Sequence, residues 1–215
     1  MTLVKICGIT HVADAEVALA AGADMLGFIC YAKSPRYLTL HEIIAILSEL
    51  RPLPPDRRTV GVFVNESVDS VRNILAWTGL DLAQLHGDES PALLQQLDNR
   101  AFKALRCSDQ AAAAIGADRF GHLGPPAGPD LLLDAYHPHA YGGTGQRADW
   151  RIAAAIARKH RLLLAGGLTP DNVAEAITQV QPWGVDVSSG VEREPGRKDH
   201  EAVRAFIAAA KQLSP

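Results

Sequence analysis

The sequence has few cysteines, no long apolar run and no excess of basic residues. Its three cysteines, Cys7, Cys30 and Cys107, are odd in number and widely spaced, which argues against a disulfide framework and against a thiolate zinc site. No stretch approaches the ~20 apolar residues of a membrane span, and the first residues lack the features of a signal peptide. The 21 Lys and Arg residues against 24 Asp and Glu leave no basic stripe for nucleic acid. We therefore expect a cytoplasmic protein with reduced thiols that binds neither nucleic acid nor membrane.

The sequence does contain a regular alternation of two kinds of segment. Short apolar runs, many rich in β-branched residues, alternate with amphipathic segments rich in Ala and Leu, which predicts strands followed by helices. The predicted strands are residues 3–7, 24–30, 58–65, 80–86, 101–107, 130–135, 161–165 and 184–188. The predicted helices are residues 11–22, 39–50, 67–79, 90–98, 108–116, 149–160, 169–180 and 199–213.

This alternation predicts a parallel α/β sheet with helical crossovers. Eight strand–helix pairs can wind as an open sheet or close into a barrel. The 215 residues give about 27 residues for each pair, a spacing that favours a closed (β/α)8 TIM barrel. We see no linker, so we expect one catalytic domain over residues 1–215. The active site of such a barrel lies at the carboxyl ends of its strands.

Two segments with glycines follow predicted strands seven and eight. Gly166 and Gly167 precede a predicted helix that begins at Thr169, and Ser189 and Gly190 follow the last strand. Glycines let a phosphate approach backbone N–H groups, and a helix N-terminus adds partial positive charge. The loops after these two strands are the usual phosphate site of the fold. We predict that Gly166, Gly167, Ser189 and Gly190 bind phosphate, with ordinary turn glycines as the alternative.

Cys7 and Asp134 are candidates for an acid–base pair, because they end predicted strands one and six. A thiolate can abstract a proton and a carboxylic acid can supply one. Alternatively, Cys7 is a small buried apolar residue and Asp134 caps a loop. Strand alternation also turns Lys5 to the same face as Cys7, and a buried ammonium needs a partner. Because strand eight adjoins strand one in a closed barrel, we predict a contact between Lys5 and Asp186; the alternative is a lysine that extends to the far end.

Several short motifs follow one another in order over nearly the whole chain: "KICGIT" (5–10), "GF" and "SPR" (27–28, 34–36), "GVFVN" (61–65), "QLHGDE" (84–89), "LLLDA" (131–135), "GGTG" (142–145), "LAGGLTPDNV" (164–173) and "GVDVSSGVE…PGRKD" (184–199). Together they resemble the phosphoribosylanthranilate isomerase family of tryptophan biosynthesis. The segment 141–146 also looks like a phosphate loop, but it follows strand six, so we interpret it as a mobile active-site loop.

The resemblance implies an Amadori rearrangement of a small phosphorylated aminosugar without metal or organic cofactor. It implies Asp134 as the general acid and Cys7 as the general base. Arg36 would contact the substrate's carboxylate through its planar guanidinium, and His86 would line the site. We expect a monomer or a weak homodimer.

Two other functions remain as alternatives. The sister aminoaldose isomerase of histidine biosynthesis shares the fold and the rearrangement, but it resembles a two-aspartate enzyme with a carboxylate in place of Cys7. A non-catalytic barrel that binds a phosphorylated ligand is the second alternative, although such a protein has no need for both Cys7 and Asp134.

Overall fold

Eight parallel strands close into a barrel in the computed structural model, which describes residues 2–107, 109–135 and 148–212. The barrel strands are β1 (Leu3–Cys7), β2 (Met25–Ile29), β3 (Arg58–Phe63), β4 (Leu82–Leu85), β5 (Ala101–Arg106), β6 (Leu131–Asp134), β7 (Leu162–Leu164) and β8 (Gly184–Val187). The helices are α1 (Val12–Ala21), α2 (Leu40–Leu50), α3 (Val68–Thr78), α4 (Pro91–Gln95), α5 (Gln110–Phe120), α6 (Trp150–Ala157), α7 (Val173–Val180) and α8 (His200–Gln212). This order confirms the predicted (β/α)8 barrel.

The barrel closes where β1 pairs with β8 as well as with β2. Lys5 lies opposite Asp186 on β8 and opposite Met25 on β2, and Cys7 lies opposite Gly27. Lys5 Nζ donates a hydrogen bond to Asp186 Oδ1 over 2.7 Å, which confirms the predicted contact across the closure. Neither residue can be placed beside the other by local sequence, since 181 residues separate them.

Side chains of the strands divide between two apolar layers, as the two-residue period of a strand requires. One layer lies between the strands and the surrounding helices and includes Val4, Ile6, Leu26 and Phe28. A second, smaller cluster fills the barrel interior and takes residues from successive strands: Met25, Val60, Leu82, Phe102, Ala104, Leu132, Leu163 and Ala165. Lys5 and Cys7 alternate with the outer residues of β1, so both point inward.

Helix starts follow local capping chemistry. Thr39 begins α2 with a reciprocal cap, in which its hydroxyl accepts from the N–H of Glu42 and the Glu42 carboxylate accepts from the N–H of Thr39. The predicted start of helix seven at Thr169 is wrong. The Asn172 side chain accepts from the N–H of Thr169 and donates to the carbonyl of Gly167, which forms a turn that delays α7 to Val173.

A short antiparallel hairpin follows β8 and was not predicted. A 3₁₀ turn over Ser189–Val191 leads into β9 (Glu192–Glu194), which pairs with β10 (Arg197–Lys198). The hairpin lies at the carboxyl end of the barrel, where its residues meet the end of β1. No helix in the described ranges has the length and apolarity needed to cross a membrane.

Candidate active site

The end of β1 forms one side of the barrel mouth. Gly8 follows Cys7 with φ of 74°, a left-handed conformation that favours glycine. A side chain at Gly8 would also meet Arg36 Cδ at 2.6 Å and Ser188 Oγ at 2.9 Å. The glycine therefore lets Arg36 and Ser188 approach the backbone directly after Cys7. The buried Ser188 Oγ makes no hydrogen bond to any residue that the structure describes.

Arg36 is held by a carboxylate of the hairpin. Its Nε lies 2.8 Å from Glu192 Oε1 and its Nη2 lies 2.6 Å from Glu192 Oε2, a two-pronged pairing of the guanidinium fork. Lys198 Nζ contacts the same carboxylate at 2.8 Å and also donates to the carbonyl of Cys7 at 2.6 Å. Burial alone would raise the pKa of Glu192, but these two cations hold it below its ordinary value.

Cys7 lies deeper in the mouth, 5% exposed, next to Lys5 and Gly27. A side-chain carbon placed on Gly27 would lie 2.8 Å from Cys7 Sγ and 3.1 Å from Lys5 Nζ. Burial raises the pKa of the Cys7 thiol, and the Asp186 carboxylate adds to that increase, while the Lys5 ammonium opposes it. Burial would by itself lower the pKa of Lys5, but the charge of Asp186 raises it above its ordinary value.

His86 and Asp134 form a second group on the same rim. His86 follows β4, and its Nε2 lies 3.3 Å from Oδ2 of Asp134 at the end of β6. This buried Nε2 makes no hydrogen bond with any residue that the structure describes. Below the ring, Gln84 Nε2 lies 2.8 Å from His86 Nδ1. The other oxygen of Asp134 accepts from the N–H of Ala135 at 2.8 Å, which fixes the carboxyl orientation.

The two predicted phosphate loops adjoin each other. Gly166 and Gly167 have φ of 86° and 63°, and neither N–H donates a hydrogen bond to a described residue. A side chain on Gly190 would collide with the carbonyl oxygen of Leu168, so the loop after β8 packs directly on the loop after β7. Backbone N–H groups that no described residue engages suit an anion such as phosphate.

The structure thus places all eight predicted site residues at one end of the barrel. It brings Arg36 to the end of β1, His86 to Asp134, and the loop of Gly190 to the loop that starts with Gly166. β7 and β8 lie between the strands that carry Asp134 and Cys7. The predicted loop over residues 141–146 lies outside the described residues.

Sequence reasoning did not identify Glu192 and Lys198 as neighbours of Cys7 and Arg36. Both lie on the hairpin, which the strand–helix period did not include, although both belong to the quoted motif "GVDVSSGVE…PGRKD". Gln84 was also missed. The available signal was its position two residues before His86, because residues two apart along a strand point to the same face. Within the described ranges, no three His, Cys, Asp or Glu side chains form a group with the geometry of metal ligands.

Comparison with known proteins gives consistent matches over the whole chain. A family model for N-(5'phosphoribosyl)anthranilate (PRA) isomerase matches residues 4–209. The chain is 49% identical over 214 residues to the N-(5'-phosphoribosyl)anthranilate isomerase of Geobacter sp. strain M21, with all of both chains covered. The crystal structure of phosphoribosyl anthranilate isomerase from Thermotoga maritima is 38% identical and superimposes with a TM-score of 0.87, covering 99% of this chain and 100% of that one.

A further solved structure of a phosphoribosyl anthranilate isomerase contains reduced 1-(o-carboxyphenylamino)-1-deoxyribulose 5-phosphate. It is 36% identical, with a TM-score of 0.84, and covers 99% of this chain and 100% of its own.

Proposed function

The chain belongs to the N-(5'-phosphoribosyl)anthranilate isomerase family, and we propose that Cys7 and Asp134 carry its two proton transfers. It is an isomerase of tryptophan biosynthesis. The substrate is N-(5-phosphoribosyl)anthranilate, and the product is 1-(2-carboxyphenylamino)-1-deoxyribulose 5-phosphate. One observation carries the assignment. Cys7 and Asp134 are the last residues of β1 and β6, and both side chains point into the barrel at the same rim.

Asp134 acts first, as the general acid that opens the sugar ring. The nitrogen lone pair forms a double bond to C1 while the C1–O bond breaks, and the ring oxygen takes the proton of the Asp134 carboxyl. The hydrogen bond from Ala135 fixes one carboxyl oxygen and leaves the other facing His86. His86 lies close enough to exchange a proton with this second oxygen when the acid is restored.

Cys7 acts second, as the general base. Its thiolate takes the proton from C2, the C2–H electrons form a C1=C2 bond, and the C=N electrons return to nitrogen. The resulting enolamine becomes the ketone when the C2 hydroxyl loses a proton and C1 gains one. Because the iminium receives the electrons, these steps require no metal, organic cofactor, oxidant or reductant.

Two sets of binding groups at the mouth orient the substrate. Backbone N–H groups of Gly166, Gly167, Ser189 and Gly190 hold the phosphate. Arg36 uses Nε and Nη2 for Glu192, so its Nη1 remains for the anthranilate carboxylate. Arg36 lies over the backbone that follows Cys7, so a substrate carboxylate bound by Arg36 is held close to the proposed base.

The fluorescence of the anthranilate group tests the proposed reaction. Purified protein should cause the substrate's fluorescence to decay, and chromatography should identify the ribulose 5-phosphate product. Conversion of only the aminoaldose of histidine biosynthesis, followed by chromatography because that compound lacks the fluorescent anthranilate group, would favour the sister isomerase. Tight phosphate-ligand binding without turnover of either compound would favour a non-catalytic barrel. Sedimentation velocity checks the expected monomer or weak homodimer.

A further inference from the structure

We propose that Lys5 is a positioning residue that stabilises the thiolate of Cys7, and that Asp186 holds the Lys5 ammonium in place for this task. The inference rests on the proposed role of Cys7 as the base. It assigns a function to a buried ion pair that the proton transfers themselves do not use. Lys5 does not touch the substrate; it acts through the sulfur of Cys7.

The geometry of Lys5 is that of a cation shared between two anions. Its Nζ is 0% exposed and lies 2.7 Å from Asp186 Oδ1. Lys5 Nζ and Cys7 Sγ both lie within 3.1 Å of the position that a side-chain carbon on Gly27 would occupy. The two atoms are therefore inside the ~4–6 Å range in which an opposite charge stabilises an ion. Gly27 is required here, because any side chain would occupy the space between the sulfur and the ammonium.

The charged groups around Cys7 carry a net positive charge that one more negative charge would neutralise. In the described part of the chain, some charged groups interact with Cys7 directly and others pair with those groups. They lie on β1, the loop after β2, β8 and the hairpin. They are Lys5, Arg36, Asp186, Glu192 and Lys198. Three cations and two carboxylates leave one positive charge in excess when Cys7 is a thiol. The thiolate form makes the group neutral, which offsets part of the cost of a buried anion.

Asp186 keeps the group stable in both protonation states. If Lys5 faced only Cys7, protonation of the sulfur in each turnover would leave a buried ammonium without a partner, which is costly. The Asp186 carboxylate pairs with Lys5 throughout, so Cys7 can gain and lose its proton without disturbing the barrel. Asp186 also repels the thiolate, and its effect on the thiol pKa is smaller than that of Lys5.

The test measures the ionisation of Cys7 directly. In a Cys30→Ser/Cys107→Ser background, where Cys7 is the single cysteine, the rate of alkylation by iodoacetamide is followed against pH. Lys5→Met should move the midpoint to higher pH, with the thiolate fraction at a given pH reduced at least about tenfold. Asp186→Asn should move it in the opposite direction, because a carboxylate that repels the thiolate is lost while the ammonium stays.

A double variant covers the case in which Lys5→Met does not fold with Asp186 left unpaired. Lys5→Met/Asp186→Asn removes both charges, and its midpoint should still lie above that of the parent, since the attraction of Lys5 exceeds the repulsion of Asp186. Lys103→Met is the matched control, because Lys103 is also a buried barrel lysine but bonds to Glu89 and to carbonyls of the β4 end. It should leave the midpoint unchanged.

An unchanged midpoint in Lys5→Met or in the double variant would overturn the proposal. Shifts of the same sign in Lys5→Met and Asp186→Asn would also overturn it, since they would indicate distortion of the barrel and not charge. The readout is the thiol itself, so it is independent of turnover. If Cys7→Ser retained full activity, the assigned base would be wrong while the alkylation result would still decide the role of Lys5.

Discussion

Replacing the sulfur of Cys7 with oxygen separates a catalytic role from a packing role. Cys7→Ser keeps nearly the same shape, but a hydroxyl is a far weaker acid than a thiol and supplies no base at neutral pH. Positioned acid–base groups accelerate reactions about 10²–10⁴-fold, so kcat should fall at least about 100-fold. This loss is equivalent to an activation free energy higher by ~2.7 kcal/mol.

The structural cost of the same change is bounded by what surrounds the side chain. A buried hydroxyl without a partner costs about 1–3 kcal/mol, and the Lys5 ammonium beside this position can donate to it. Small domains have about 5–15 kcal/mol of stability, so the variant should remain folded. Thermal unfolding checks this separately from the fluorescence assay of kcat.

Cys30 provides the matched control. It is also buried, its Sγ contacts the carbonyl of Phe28 at 3.9 Å, and burial raises its pKa to about 12. Cys30 packs in the layer between the barrel and the helices, whereas Cys7 points into the barrel. Cys30→Ser should therefore lower stability by a similar amount and retain most of the activity. A folded Cys7→Ser enzyme with near-normal kcat would refute the assignment and return Cys7 to a packing role.

Three further predictions follow from the same site. Asp134→Asn should keep the hydrogen bond from Ala135 but lose the acid proton, so kcat should fall at least about 100-fold with little change in the unfolding temperature. Gly190→Ala should push a methyl group against the carbonyl of Leu168, and we expect a higher KM together with a stability loss of about 1–3 kcal/mol in thermal unfolding; an unchanged KM would argue against the phosphate site. Because burial raises the pKa of Cys7, the thiolate fraction grows with pH below that pKa, so kcat/KM should rise up to about tenfold per pH unit through the neutral range; a steady fall over that range would contradict the thiolate base.

Periodic features of the sequence predicted the barrel because each depends on a few neighbouring residues. The strand "LVKIC" matches β1 at both ends, and the other seven strands were placed within one to two residues at each end. The Lys5–Asp186 contact was also predictable, because barrel closure makes β8 the neighbour of β1 and strand alternation turns both side chains inward. Only the closure itself had to be assumed.

Features that depend on particular side-chain contacts were not predictable in the same way. Thr169 has a good capping side chain, yet α7 begins at Val173 because Asn172 binds the backbone of the preceding loop. The hairpin after β8 has only five residues in strands, too few for a two-residue period to be recognised. Its effect on the site is therefore visible only in three dimensions.

The hairpin also changes the interpretation of Arg36. The "SPR" motif predicts a guanidinium for the substrate's carboxylate, and nothing in that motif indicates that a carboxylate of the protein itself already pairs with it. Glu192 fixes two nitrogens of the fork, and Lys198 offsets the charge that Glu192 brings. The arginine is consequently held in one orientation before substrate binds, which reduces the entropy lost on binding. Removing Glu192 would thus release the Arg36 guanidinium but would also remove the contact that fixes its orientation. The Glu192 carboxylate therefore competes with the substrate's carboxylate for Arg36 and at the same time prepares Arg36 to bind it.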